Sequence, residues 1–328
     1  MRINTNQSFI KKNKPLLLCL CGPTAAGKSA LALRLCETLN GEVISADSMQ
    51  IYRGMDIVTA KPSAAELARV RHHMINVADP SEHYSAARYA ESARAAIEDV
   101  LSRGKLPVVC GGTGLYIRAL LDGGGMGMGG CAGDADIRNE LKTIYLNRGS
   151  AGLYGLLAAR DPERAARLHP NDVKRVTRAL EVIMSTGMTM AEYNTRAAAK
   201  KNDRYDVRYY ALSFQDRNEL YRRIDARVND MLSRGLEGEA RMYYDNPSAL
   251  GPTAAKAIGY QDFFSYFNGE ITKEQAVASI KQHTRNYAKR QLTWFSKDTR
   301  CTWLWRDESD FDAEAGKIIT NIKEMKQS

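Results

Sequence analysis

No run of eighteen apolar residues occurs in the 328-residue chain, so no membrane-spanning helix is expected. A cleavable leader is not expected either. The one candidate, Leu16 to Cys21 behind Lys11, Lys12 and Lys14, is too short for an h-region and runs straight into a glycine motif. Cysteine is sparse: Cys19, Cys21, Cys36, Cys110, Cys131 and Cys301 include no C-x-x-C pair and no zinc-like spacing. In a chain of this length that argues against a disulfide scaffold and for reduced thiols in a cytoplasmic protein. No internal repeat of fixed period is visible. Charged residues make up 26%, close to the globular average, which argues against wholesale disorder. The 44% of hydrophobic residues suffices for the core of one large or two ordinary domains. Forty-seven Lys and Arg against 38 Asp and Glu leave a net charge of +9, which suits a polyanionic partner.

Leu16 to Cys21 reads as a buried parallel strand, followed by a glycine loop and a helix from Lys28 to about Leu39. Val43 to Ala46 predicts a second strand ending at Asp47. Ser85 can cap a helix that runs to Arg103 and stops at Gly104, and Pro107 to Cys110 forms another strand. This alternation predicts an α/β fold, a P-loop NTPase-like parallel sheet with flanking helices. Gly123 to Gly133 holds seven glycines in eleven residues and reads as a flexible connection. Only helical periodicity follows, up to about Lys201, with stops at Gly149, Pro170 and Gly187. Arg208 to Phe214 is strand-like again. Helices from Glu219 to Ser233 and from Thr272 to Lys297 follow, then a short strand from Thr302 to Trp305. The expected organisation is a core over residues 14–130 and 205–328, with a small all-helical insertion over residues 131–204.

The sharpest motif is Gly22, Pro23, Thr24, Ala25, Ala26, Gly27, Lys28 and Ser29, which fits G-x-x-x-x-G-K-[ST] between a predicted strand and a predicted helix. Its backbone N–H groups and helix N-terminus would wrap a di- or triphosphate, with Lys28 on the distal phosphates and Ser29 on Mg²⁺. The guanine motif N-K-x-D is missing, and no later strand ends in the carboxylate an ATPase needs. Asp47 stands instead at the end of the strand after the loop helix, where it can cap a helix, hold a metal or act as a general base. Ser48 and Gln50 offer hydrogen bonds suited to a nucleobase edge. Thr113, between glycines, can lend its hydroxyl to the same cleft or serve as a turn residue. A basic series, Lys281, Arg285 and Lys289, repeats every four residues beside Arg290, Tyr287, Trp294 and Phe295. The insertion adds Arg164, Arg167, Lys174, Arg175 and Arg178. Each cluster can be a solvated face; together they suit a nucleic-acid backbone. His72, His73, His169 and His283 lack metal-like spacing and read as structural or phosphate-facing.

These residues resemble the bacterial tRNA dimethylallyltransferases, also called tRNA isopentenyltransferases. GPTAAGKS, EVISADSMQIYRGMDIVTAKP, HHMINVADPSEHYSAARY, LPVVCGGTGLYIRALL, HPNDVKRVTRALEV, RIDARVNDMLSRGLEGEA, AIGYQDF and RNYAKRQLTWF carry the resemblance along nearly the whole chain. It implies Mg²⁺-dependent transfer of the dimethylallyl group of dimethylallyl diphosphate to N6 of the adenosine 3′ of the anticodon. The P-loop then holds the prenyl diphosphate and not ATP. Asp47 matches the general base and Thr113 a threonine of the channel where the flipped base meets the donor. Thr24 and Lys28 match phosphate contacts, Ser29 the magnesium hydroxyl, and Arg223 is chosen for a diphosphate arginine. Three stretches match tRNA contacts: Asp47, Ser48, Met49 and Gln50; Lys174, Arg175, Val176, Thr177 and Arg178; and Ala257, Ile258, Gly259, Tyr260, Gln261 and Asp262. The partners implied are the tRNA anticodon arm and the donor, with no membrane, and the chain is expected as a monomer. The glycine tract departs from the shorter, proline-bearing connection of relatives. An adenylate isopentenyltransferase, a small-molecule kinase and a non-enzymatic RNA-binding P-loop protein are the alternatives.

Overall fold

Six strands form one parallel sheet in the computed structural model, which describes residues 14–122, 135–199, 204–307 and 311–327. They are β1 (Leu16–Cys21), β2 (Gly41–Ser45), β3 (His72–His73), β4 (Leu106–Cys110), β5 (Asp206–Ser213) and β6 (Thr302–Trp305), in the spatial order β3-β2-β4-β1-β5-β6. β1 is central because LLLCLC can be buried on both faces. Leu17, Cys19 and Cys21 enter one layer and Leu18 and Leu20 the other, all inaccessible to solvent. The strand from Arg208 brings the chain back to the sheet as expected, aligned along all of β1 from Leu16↔Asp206 to Cys21↔Ala211.

The helices α1 (Lys28–Leu39), α2 (Ala64–Arg69), α3 (Ala86–Ser102) and α4 (Gly114–Leu121) belong to the first half of the sheet. Ser85 caps α3 by accepting the Arg88 N–H, as its sequence suggests. The stretch read as helical holds α5 (Ala135–Arg160), α6 (Pro162–Ala166), α7 (Val173–Thr186) and α8 (Met190–Ala199). Gly149 breaks α5 with φ +62°, and Gly187 closes α7 in the left-handed region. These helices pack on their own core of Leu141, Leu153, Leu157, Val176 and Leu180. The glycine connection at Gly123 to Gly133 lies outside the described residues.

After β5 come α9 (Arg217–Ser233), α10 (Leu236–Asp245), α11 (Tyr260–Phe267), α12 (Lys273–Phe295) and, beyond β6, α13 (Phe311–Gln327). α12 begins with a capping box in which Thr272 and Gln275 satisfy each other's N–H groups. α13, unforeseen from the sequence, sets Ala315, Ile318 and Ile322 against the α1 layer. β3 was equally invisible because two residues carry no alternation. Its histidines are structural and not phosphate-facing. His73 bonds Glu42, a buried carboxylate that also pairs with Arg103 and Lys105, all near the amino end of β2 and β4. His169 accepts the Asn171 N–H, and His283 pairs with Asp262.

Candidate active site

At the carboxyl end of β1 the chain turns sharply at Gly22, φ +131°, where a Cβ would lie 2.2 Å from the Leu212 carbonyl oxygen. Only glycine permits that approach. The loop closes at Gly27, φ +90°, which precedes the first residue of α1, Lys28. The Lys28 ammonium folds back onto the Pro23 carbonyl oxygen at 2.6 Å. Burial pushes its pKa down to about 8; Arg227 adds to this, while the Cys110 thiol and Asp47 oppose it. Ser29 is exposed on the first turn of the helix. The loop is thus a cationic, N–H-rich pocket at a helix N-terminus, built for anionic oxygens.

Asp47 and Thr113 come together because hydrogen bonding between β2 and β4 continues past the strand ends. Ala46 donates to the Cys110 carbonyl at 2.8 Å, and Thr113 donates to the Ala46 carbonyl at 3.1 Å. Gly111 makes this possible, since a Cβ there would meet the Ala46 oxygen at 2.2 Å. The Thr113 hydroxyl accepts the Ser48 N–H at 3.0 Å and reaches the Ser48 hydroxyl at 3.3 Å. Asp47 Oδ1 accepts the N–H groups of Met49 (2.8 Å) and Gln50 (3.4 Å), so it caps the turn of residues 48–51, not a helix. Its Oδ2 accepts no hydrogen bond from the described residues. The Gln50 amide, expected to face a base, turns inward instead, accepting from Ser45 and donating to the carbonyls of Thr59 and Ala60.

Asp47, Ser48 and Thr24 line a cavity of about 230 Å³ with Arg227. Its remaining wall is largely apolar, including Val58, Val228, Met231, Ile258 and Ile280. Of the two arginines of RIDAR, Arg227 lines the cavity, whereas Arg223, one turn earlier on α9, is paired with Glu219 and stacked on Phe214. Burial lowers the Arg227 pKa and the charge of Asp47 raises it. They are four residues apart and so on the same side of α9, one turn from each other, and the 3.6-residue period alone cannot tell which turn lies over the cavity. Gln291 was also missed. It is 5% exposed and clamps the site, accepting the Thr24 N–H at 2.9 Å and donating to the Gly112 carbonyl at 2.9 Å. Tyr287 lies beside it, its phenol pKa raised first by burial and then by Asp47.

The other expected contact stretches divide. Ala257 and Ile258 line the cavity, but Tyr260 is fully buried and donates its hydroxyl to Glu239, while Asp262 is 7% exposed and held by His283. Gly259 turns the chain at φ +119°, and Gln261 is tied to the Ala255 carbonyl. In the insertion, Val176 is a core residue with no exposure, so it cannot meet a ligand. Thr177 is half-buried, Lys174 is exposed, and Arg175 and Arg178 are paired with Asp172 and Glu181. On α12, Lys281 is half-buried and Arg285 pairs with Asp225, which breaks up the supposed stripe. Lys289 instead joins Arg118, Arg290, Trp294, Lys297 and Arg300 around an open groove of about 900 Å³. Arg300 binds both of the groove's aspartates, Asp122 and Asp298, which leaves a net positive surface. Arg290 lines both groove and cavity, so the two adjoin.

Glu239 sets the cavity wall from behind. Its carboxylate accepts the N–H groups of Asp56, Ile57 and Val58 at 2.7–2.9 Å. Replacing it with alanine strands buried donors and should lower the free energy of unfolding by about 3 kcal/mol. Urea unfolding of the two proteins checks this; an unchanged midpoint would contradict it.

The parallel sheet, the glycine loop after β1 and the cavity that Asp47 lines define an α/β fold of the P-loop-like kind, with the loop next to an apolar chamber. The sequence model of the IPP transferase family matches residues 50–298, and the chain belongs to that family. It is 45% identical over 297 residues to tRNA dimethylallyltransferase 1 of Citrifermentans bemidjiense, covering 90% of this chain and 93% of that protein. The crystal structure of the tRNA isopentenylpyrophosphate transferase of Bacillus halodurans superposes with a TM-score of 0.69 at 39% identity, over 94% of this chain and 96% of that one. A eukaryotic dimethylallyltransferase crystallised acting on tRNA gives a TM-score of 0.76 at 28% identity, over 93% of this chain and 78% of that one.

Proposed function

We propose that the chain transfers the dimethylallyl group of dimethylallyl diphosphate to N6 of the adenosine 3′ of the anticodon and releases diphosphate. The observation that carries this is one cavity joining the P-loop and Arg227 to an apolar wall and the Asp47 carboxylate. The P-loop N–H groups, Lys28 and Arg227 hold the diphosphate, and Val58, Val228, Met231 and Ile280 surround the five-carbon group. Ser29, with phosphate and water oxygens, forms the kind of donor set that Mg²⁺ accepts. When bound, the ion would supply further neutralisation of the leaving oxygens.

In the reaction, the bond between the allylic carbon and the bridging oxygen breaks, and its electron pair leaves with diphosphate. Lys28, Arg227 and the loop N–H groups stabilise the charge that develops there. The adenine N6 forms the new bond to carbon and gives a proton to Asp47 Oδ2. The Thr113 hydroxyl and Ser48 hold the far side of the base position. The adenosine must leave the anticodon stack to arrive, at a cost of a few kcal/mol. Assays with labelled donor, and in parallel with labelled ATP, test the reading. Label should pass from the donor to tRNA; phosphate release from ATP without transfer would favour a kinase or ATPase.

The groove of Lys289, Arg290, Lys297 and Trp294 holds the RNA next to the cavity, the cations on phosphates and the exposed indole under a base. The exposed pairs of Arg175 and Arg167 are weak enough to exchange for RNA phosphates. Replacing Lys289 and Lys297 with alanine should flatten the dependence of log K on log salt by ~0.7–0.9 for each phosphate no longer neutralised. Filter binding of tRNA at several KCl concentrations measures the slope, and an unchanged slope would place the RNA elsewhere.

A further inference from the structure

The sixth strand brings a second cation to the P-loop from the side opposite Asp47. Arg306 directly follows β6, and its N–H donates to the Ser213 carbonyl at 2.9 Å, which extends the β5–β6 pairing to the carboxyl edge. Its guanidinium then lies against Gly27: a Cβ built on that glycine would be 2.4 Å from Nη1. The space that a side chain on the motif's second glycine would need is therefore the space this arginine occupies. Arg223 lies close by, stacked on Phe214, which shares a cluster with Ala25 of the loop. Burial, and then the charge of Arg223, hold the Arg306 pKa below the ordinary guanidinium range. Glu219 pairs with Arg223, and an anion held in the loop would further offset the crowding of the two guanidinium groups.

The strand order gives the site a direction. β2 and β4, which carry Asp47 and Thr113, lie on one side of β1, whereas β5 and β6 lie on the other. A diphosphate in the loop with its carbon toward Asp47 therefore points its distal phosphate toward Arg306. We infer that Arg306 is a diphosphate-binding residue that, with Arg223 beside it, contacts the distal phosphate of the prenyl donor and of the released diphosphate. This rests on the reading that the P-loop holds the prenyl diphosphate. It assigns Arg223 to the outer end of the ligand and Arg227 to the reacting end. It also closes the outer mouth of the loop, where a longer phosphate chain or nucleoside would extend.

The test uses the full-length protein and inorganic pyrophosphate with Mg²⁺, titrated by calorimetry. Arg306→Gln should weaken pyrophosphate about ten- to a hundredfold, as expected when one charged hydrogen-bonding partner is removed. It should raise the KM for dimethylallyl diphosphate in step and leave the KM for tRNA unchanged. Arg306→Lys, which keeps the charge but not the fork, should fall between the two. Lys28→Ala is titrated in parallel. If Lys28→Ala weakens pyrophosphate while both Arg306 variants bind it like the wild type, the Arg306 assignment is overturned and the loop reading stands. If Lys28→Ala itself binds pyrophosphate normally, the loop reading fails. Should Arg306→Gln unfold early, the Arg306→Lys protein decides, with wild-type affinity counting against the proposal.

Discussion

Asp47→Asn is expected to lower the rate of transfer by ~10²–10⁴, the usual contribution of a general base. Asparagine keeps an oxygen at the Oδ1 position, so the hydrogen bonds from Met49 and Gln50 that order the turn survive. It cannot take a proton from the adenine amine. The exocyclic amine is a poor nucleophile because its lone pair is delocalised into the ring, and proton removal matters as the N–C bond forms. Asp47→Ala removes both the base and the cap, so it should be at least as inactive and also less stable. The pair separates the two roles of this side chain. An Asn variant with wild-type turnover beside an impaired Ala variant would return Asp47 to capping alone. Affinity for tRNA, measured by filter binding, should change by no more than a few fold in the Asn protein.

Lys28→Ala should raise the KM for dimethylallyl diphosphate by about two orders of magnitude, since it removes a buried charge-assisted partner of the phosphates. The same lysine predicts a pH dependence. Burial holds its pKa near 8 in the ligand-free protein, so above that value the resting side chain is largely neutral. The diphosphate favours the charged form, so binding takes up a proton and affinity falls as pH rises, by about tenfold per unit well above the resting pKa. Lys28→Arg, always charged, should bind with little pH dependence between about 7.5 and 9.5 if its longer fork is accommodated. Calorimetry in buffers of different ionisation enthalpy reads the proton uptake directly. Donor binding that is flat across this range in the wild type would mean that Lys28 is not on the phosphates.

The core of the fold was legible because its signals are local. LLLCLC before GPTAAGKS can hardly be anything but a central strand feeding a P-loop, and Ser85 and Thr272 announce their helices through capping. What escaped depends on the third dimension. β3 is two residues long, and the α13 face has no motif to anchor it. The placement of Asp47 and Thr113 on neighbouring strand ends followed from the strand–loop–helix pattern. The choice between Arg223 and Arg227 did not, because the two lie one turn apart on the same side of α9, and only the packing shows which turn stands over the cavity and which over Phe214. Gln291 was hidden by its neighbours. Cations every four residues drew the eye to one face of α12, while the residue that fastens the P-loop to Gly112 lies on another. Gln50, Val176 and Tyr260 lie within stretches matched by resemblance. Their side chains nonetheless serve the interior, since a contacting segment needs residues that hold it in place as well as residues that touch.

The most direct measurement of the central claim is mass analysis of unmodified tRNA incubated with the protein, Mg²⁺ and either dimethylallyl diphosphate or ATP. The tRNA is then digested to nucleosides. With the prenyl donor, the added mass should equal one dimethylallyl group, reside on the adenosine 3′ of the anticodon, and match the diphosphate released one for one. With ATP, the tRNA mass should not change. Unaltered tRNA with the donor, together with phosphate or adenylate transfer from ATP, would contradict the assignment of the cavity to prenyl transfer.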